Sequence, residues 1–185
     1  MDLSWLQNFG LGETQLPDLA GAFSGRLTIA GGGRCVWSDL EGHWNGDVMC
    51  VNDIGMHFPG QVRHWYSNDA KMLAKWSAAR RPLLVARQER AILHHSCNPG
   101  HIHWPWPGHG SSGLNAVYTG LGLGYDEIFL AGMPLDDSGH YFDPPWVKTN
   151  FVREVPERYW IRARDHIFKG RVKSLSGRSK EILEG

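Results

Sequence analysis

The sequence predicts a single α/β domain, built on a mostly parallel, doubly wound sheet with helices on both faces. Three observations lead there. Short runs such as Asp47–Val51 and Glu127–Ala131 are apolar almost throughout, as expected of strands buried on both faces. These runs alternate with segments of helical character, the pattern of a helix-covered parallel sheet. The chain has 185 residues, 42% hydrophobic and 21% charged, which suits one compact domain and excludes a largely disordered chain.

Taken in order, residues 1–25 are irregular, broken by Gly10, Gly12, Gly21 and Gly25, and the domain proper spans 26–185. Arg26–Ala30 is a strand that runs into Gly31-Gly32-Gly33. Asp47–Val51 is a second strand and ends on Asn52-Asp53. Val62–Tyr66 is a third. Ser67 or Asn68 then caps a helix whose inner face carries Met72, Leu73 and Trp76. Pro82–Ala86, with Leu83-Leu84-Val85 inside it, reads as a fourth strand. Residues 94–110 form a loop rich in His, Pro, Trp and Gly. Ser111 or Ser112 opens a helix through Leu123, and Gly124 stands where a left-handed cap is wanted. Glu127–Ala131 is a fifth strand. A polar and aromatic segment, 133–155, leads to a helix over Pro156–Phe168, with proline tolerated in its first turn. Arg171–Leu175 is a last strand, and Ser176 or Gly177 starts a short terminal helix.

Charge narrows the function classes. Lys and Arg total 19 against 19 Asp and Glu, so the chain is not built to grip nucleic-acid phosphates. No run of about 18 apolar residues predicts a membrane span. Met1–Gly12 has no basic or long apolar stretch, so no signal peptide is expected. Cys35, Cys50 and Cys97 are odd in number and widely spaced, as expected of reduced thiols in a cytoplasmic protein.

In doubly wound sheets ligands bind beyond the carboxyl ends of the strands. That rule selects 31–34, 52–55, 67–69, 94–113 and 132–143. Gly31 and Gly33 fit two positions of a dinucleotide-type glycine pattern, with Val36 at the third, and Asp53 lies where a ribose-binding acid belongs. Glycines there let a ligand approach backbone amides; the plain alternative is a tight turn. Ser111-Ser112-Gly113 is a second anion cradle at a helix start, or Ser111 is an ordinary cap. His94, His95, Cys97, His101, His103 and His109 allow three readings: a metal site, a loop packed by its own aromatics, or a wall where Trp104 or Trp106 stacks on a base and a histidine moves a proton. Asp136, Asp137 and Asp143 either hold a divalent ion or act as loop caps. His64 is expected to face the crevice, subject to strand register. Arg153, Arg158, Arg162 and Arg164 make a solvated helix face, from which Arg158 and Arg162 can reach a phosphate.

The stretch from Ser111 to Gly132, Ser-Ser-Gly-Leu-Asn-Ala-Val-Tyr-Thr-Gly-Leu-Gly-Leu-Gly-Tyr-Asp-Glu-Ile-Phe-Leu-Ala-Gly, resembles a segment of bacterial CMP-sialic-acid-dependent sialyltransferases. It is also similar to the related 6-hydroxymethylpterin diphosphokinase-like Rossmann proteins. Ile29-Ala-Gly-Gly-Gly33 resembles their first-strand loop, and Val51-Asn52 their second-strand asparagine. Gly32 stands where that loop has asparagine, and Arg34-Cys35 where it has Pro-Ser. The resemblance implies a Rossmann-like nucleotide-binding domain in which Gly31, Gly32, Gly33, Asn52, Ser112 and Gly113 hold a CMP-type nucleotide or nucleotide-sugar, with Tyr141 on its phosphate. The family's catalytic base is a histidine after this segment; residues 144–158 contain none, which leaves His140 and His64 as candidates. The expected function is a small sialyltransferase-like glycosyltransferase with a small-molecule nucleotide ligand. The alternatives are a Mg²⁺-dependent phosphoryl transferase and a non-catalytic nucleotide-binding or structural protein. Neither a metal nor an oligomeric state is specified.

Overall fold

A computed structural model describes residues 4–11, 15–42, 45–87 (backbone alone over 83–87), 90–96, 102–106, 111–148 and 157–185. Seven parallel strands form one sheet: β1 Arg26–Ala30, β2 Asp47–Val51, β3 His64–Tyr66, β4 Ile92–His95, β5 Ile102–His103, β6 Glu127–Ala131 and β7 Val172–Ser174. Their spatial order is β5-β4-β3-β2-β1-β6-β7. The chain therefore winds outward from β1 to β5, then crosses to the other side of β1. The reversal lies between β1 and β6, where Ala30 pairs with Ala131 at the carboxyl ends. That is the topological switch point at which such sheets open a crevice.

Both faces of the sheet are buried, as the apolar strands predict. Leu27, Ile29, Met49, Val51, Tyr66, Ile128 and Leu130 pack on one side against α4 (Ser112–Leu123) and α5 (Glu157–Ala163). Ala30, Val48, Cys50, Trp65 and Ala131 pack on the other against α1 (Val36–Leu40), α2 (Ile54–His57) and α3 (Ala70–Arg87). Full burial of one such Leu, Ile or Val side chain stabilises by roughly 1.5–3 kcal/mol. Within the first 25 residues, a 3-10 helix over Ser4–Phe9 buries Trp5 and Leu6 in the first of these clusters. The terminal helix α6, Gly177–Glu184, follows β7. Among the described residues, no helix is long and apolar enough to cross a membrane.

Helix α4 follows its local signals. Ser111 caps it by accepting the Leu114 amide at 3.2 Å, and Gly124 ends it in the left-handed region at φ 108°. Two expectations are corrected. The Leu83-Leu84-Val85 run is not a strand but the last part of α3, which carries Pro82 inside it. A short apolar run does not distinguish strand from helix by periodicity. The fourth strand is instead Ile92–His95, whose last two residues fall in the expected 94–110 loop, and Ile102–His103, inside that loop, adds an edge strand. The α5 helix also departs from a uniform coil. It passes into a π-helical turn over Arg164–Phe168.

Candidate functional site

The glycine turn after β1 lies at the switch point. The Gly31 amide donates to Ala131 O at 2.8 Å and the Gly33 amide to Gly132 O at 2.7 Å. A Cβ on Gly31 would lie 2.6 Å from Met133 Cγ, and one on Gly33 would lie 2.5 Å from Pro134 Cδ. These two positions are glycine because the 132–134 segment presses on them, and their amides serve the protein itself. Gly32 differs. Its Cβ position meets His140 Cδ2 at 3.3 Å and Asp53 Oδ1 at 3.8 Å, so it is the glycine that looks toward side chains with chemistry.

The 139–141 segment lies along the turn. Arg34 N donates to Gly139 O at 3.1 Å, and Tyr141 N donates to Gly32 O at 2.9 Å. His140 is held by Asp143, whose Oδ2 accepts from the His140 amide at 2.9 Å and lies 3.2 Å from His140 Nδ1. The amide and imidazole of His140 hold the Asp143 carboxyl below its ordinary range. The Tyr141 hydroxyl is buried beside the Asp53 carboxylate. Burial and the nearby Asp53 carboxylate push its pKa up, so this phenol stays a donor. The loop itself is tied down by Arg34, whose guanidinium donates to Ser138 O at 2.7 Å, Pro144 O at 3.0 Å, Asp143 O at 3.3 Å and Val147 O at 3.5 Å.

A second polar group forms at the carboxyl ends of β2, β3 and β4. Asn52 ends β2 at φ 59°, a posture that asparagine tolerates better than most residues and that recurs at functional sites. Its carbonyl accepts Trp65 Nε1 at 2.6 Å, and its Oδ1 accepts Ser67 Oγ at 2.9 Å. Asn68 Oδ1 accepts from Tyr66 Oη at 3.0 Å, Ser96 Oγ at 3.1 Å and Asn115 Nδ2 at 3.1 Å. The Asn68 amide donates to Ser112 Oγ at 3.3 Å. Ser112 thus faces this group, while Ser111 is committed to capping. Met133 joins the two regions. Its Sδ lies 3.2 Å from a Cβ placed on Gly113, and its Cγ 2.6 Å from one on Gly31, so the two predicted cradles flank one side chain.

The structure therefore brings Gly32, Asp53, His140 and Tyr141 together, and Asn52 and Ser112 together beside them. Ser67, Asn68, Arg34 and Met133 lie in segments the strand-end rule marks, but the sequence gives none of them a ligand role, nor does it give one to Asn115. Asn115, inside α4, lies outside every segment that rule marks. Asp136 Oδ1 accepts the Ser138 amide at 2.9 Å, and Asp137 pairs with exposed Lys148 at 2.7 Å. Among the described residues, no group of three or more His, Cys, Asp or Glu is arranged to hold a metal ion.

His64 does not face the crevice. It is the first residue of β3, at the amino end of the strand, and is fully buried. Its Nδ1 lies 3.0 Å from His94 Nε2 and its Nε2 lies 2.8 Å from Tyr125 Oη. The aromatic wall is corrected too. Trp104 and Trp106 are core residues, stacked at 5.4 Å, with Trp104 Nε1 on His94 Nδ1 at 3.1 Å and Trp106 Nε1 on Thr119 Oγ1 at 2.8 Å. His94 and His95 are buried in β4, and exposed His103 lies 3.3 Å from Ser96 O. Cys97, His101, His109 and Arg153 lie outside the described residues. Of the other helix arginines, Arg158 lies over the Tyr159 ring and Arg164 holds Asp165 and Ile182 O.

No protein-family model and no curated protein matches the chain. Solved structures do. The sialyltransferase CstII from Campylobacter jejuni in complex with CMP-3FNeuAc is similar at TM-score 0.52 and 16% identity, over 81% of this chain and 80% of that one. The same enzyme with cytidine-5'-monophosphate gives TM-score 0.54 at 16% identity, over 82% and 79%. CST-II with a trisaccharide acceptor and CMP gives TM-score 0.53 at 18% identity, over 81% and 80%. The chain thus has a Rossmann-like α/β fold, the fold of these sialyltransferases, across most of its length.

Proposed function

We propose that the chain binds a CMP-type nucleotide-sugar at the β1/β6 switch point and transfers the sugar to an acceptor hydroxyl. One observation carries the reading: the glycine turn at Gly31 and the helix start at Gly113 both pack on Met133, with Gly32 open toward Asp53 and His140. They do so in a fold shared with enzymes whose structures hold CMP and a CMP-sugar analogue. In this reading Gly32, Asn52, Asp53, Ser112 and Gly113 line the nucleotide, with Gly31 and Gly33 shaping the turn and Ser111 fixing the helix start. The buried Tyr141 hydroxyl, beside Asp53, donates to a phosphate oxygen. His140, oriented by Asp143, takes the proton of the acceptor hydroxyl as its oxygen bonds to the sugar. The sugar–phosphate bond breaks, and CMP leaves with that electron pair.

A thermal-shift screen of CMP, CDP, UDP, ATP and NAD tests the binding step. A ligand that binds the native state raises Tm, and the rise is expected with the cytidine nucleotides. Flat melting curves with all five would sink the proposal. Hydrolysis or transfer of a bound CMP-sugar, lost in His140→Ala while the CMP shift is kept, separates an enzyme from a nucleotide-binding protein without catalysis.

A further inference from the structure

Residues 140–143 form one tight turn, closed by the Asp143 amide, which donates to His140 O at 3.1 Å. The turn sets His140 and Asp143 side by side and folds the Phe142 ring back onto the His140 ring. The two ring planes are 10° apart and their centroids 5.0 Å apart, within the roughly 4.5–7 Å of aromatic pairs in contact. Phe142 is 57% exposed, so burial in the core does not account for its place. Its ring is itself held. The edge of Tyr141 meets it at 5.1 Å and 85°, and Trp37 packs on Tyr141 at 5.7 Å. The stack on His140 thus stands on a chain of aromatic contacts, tied to the glycine turn where the Tyr141 amide donates to Gly32 O.

A histidine ring turns about a soft, roughly two-fold torsion. One hydrogen bond selects which edge of the ring points where, but it leaves the plane loose. Asp143 selects the edge. Its carboxylate only accepts, so His140 Nδ1, 3.2 Å away, carries the proton and Nε2 holds the lone pair. Cδ2 then lies on the Gly32 side. Phe142 supplies the second restraint, because a stacked ring holds the imidazole parallel to itself. Neither contact replaces the other. Turning the imidazole over keeps the stack and loses Asp143; tilting it loses the stack and stretches the Nδ1 hydrogen bond.

We infer that Phe142 is a positioning residue: it fixes the plane of the His140 imidazole, Asp143 fixes its edge, and together they aim Nε2 at the acceptor hydroxyl. A general base works only within hydrogen-bond reach of the proton it takes, and a small misplacement of the reacting groups is costly. Phe142 touches neither donor nor acceptor in this role; it acts through His140. The consequence for transfer rests on the glycosyl-transfer reading above. The consequence for the imidazole ring does not.

The test compares the full chain with its Phe142→Ala, Phe142→Leu and Phe142→Tyr variants. Imidazole ¹⁵N NMR at about pH 8, where histidine is ordinarily neutral, reads the His140 tautomer, and His140→Gln assigns its signals. The unsubstituted chain and Phe142→Tyr are expected to show one tautomer, protonated at Nδ1. Phe142→Ala and Phe142→Leu are expected to show a mixture, because leucine restores bulk without a flat face and a tilted ring loses its hold on Asp143. With a CMP-sugar donor, kcat is expected to fall about tenfold in the Ala and Leu variants and to return in the Tyr variant, with the donor KM and the CMP thermal shift unchanged. A single Nδ1–H tautomer in every variant, a mixture already in the unsubstituted chain, or rescue by leucine as good as by tyrosine would each overturn the inference. The expected tautomer pattern in a chain that transfers no sugar would keep the positioning role and remove the transfer reading. Transfer at equal kcat by every variant would keep the transfer reading and remove the role of Phe142.

Discussion

His64 Nδ1 meets His94 Nε2 at 3.0 Å in the interior, and the contact has a direction. Trp104 Nε1 can only donate, so His94 Nδ1 accepts and its Nε2 carries the proton. His64 Nδ1 therefore accepts, its Nε2–H donates to Tyr125 Oη, and Tyr125 donates to Asp47 Oδ2 at 2.5 Å. Every member is satisfied with both imidazoles neutral. Such a network is stable only while that protonation pattern lasts.

Acid sensitivity follows. Burial, with a smaller contribution from Arg63 and against the pull of Asp47, lowers His64 from 6.5 to about 4. Burial, His64 and His95 lower His94 as well. With folded pKa values below the unfolded one, the unfolded chain binds more protons in this window. Stability is therefore full above about pH 6.5 and falls as pH drops toward 4. His64 alone accounts for about 3 kcal/mol across that range. Urea denaturation at pH 7 and pH 4.5 measures it, and equal unfolding free energies would contradict it.

Gly33→Ala is expected to destabilise by roughly 1–3 kcal/mol, the cost of forcing atoms into a packed region. The new Cβ would stand 2.7 Å from Gly132 O and 2.5 Å from Pro134 Cδ. Gly32→Ala meets the edge of the His140 ring at 3.3 Å instead. It is expected to keep the stability and to weaken CMP. Tm and CMP titration of the two variants separate the packing glycine from the ligand-facing one; identical losses of stability would refute the distinction.

At Asn52 the backbone and the side chain can be tested apart. With φ at 59°, Asn52→Ala is expected to be less stable than Asn52→Gly by roughly 1–2 kcal/mol. Both variants lose the Ser67 contact, and both are expected to raise the CMP Kd about tenfold. If Gly and Ala variants melt together, the strained turn is not what holds this position.

Arg34→Lys removes the fork that reaches the carbonyls of Ser138, Asp143, Pro144 and Val147. An ammonium cannot span them. Hydrogen exchange over 138–147 is expected to rise while strands β1 and β6 stay protected. Unchanged exchange in that loop would show that other contacts hold it.

Local chemistry was enough to read β1, β2, β6 and α4 from the chain. Each is bounded by residues whose preferences act within a few positions, such as Ser111 and Gly124. The strand-end rule also marked the Gly31–Gly33 turn and the Ser111–Gly113 helix start, since it needs only strand order along the sequence. What local chemistry did not reach depends on partners far away in sequence. The Leu83-Leu84-Val85 run is helix, and Ile92–His95 takes the strand position, pairing with His64–Tyr66 in the sheet. His94, which read as a ligand of the loop, became an interior link, because Trp104 and His64 bring hydrogen bonds from 10 and 30 residues off. Gly31 and Gly33 looked like an anion cradle by composition. Their amides and open sides are taken by Ala131, Gly132, Met133 and Pro134, about 100 residues on. Side-chain identity sets what a residue is able to bond. The packing of β1 against β6 set which of those bonds are made to the protein and which face the crevice.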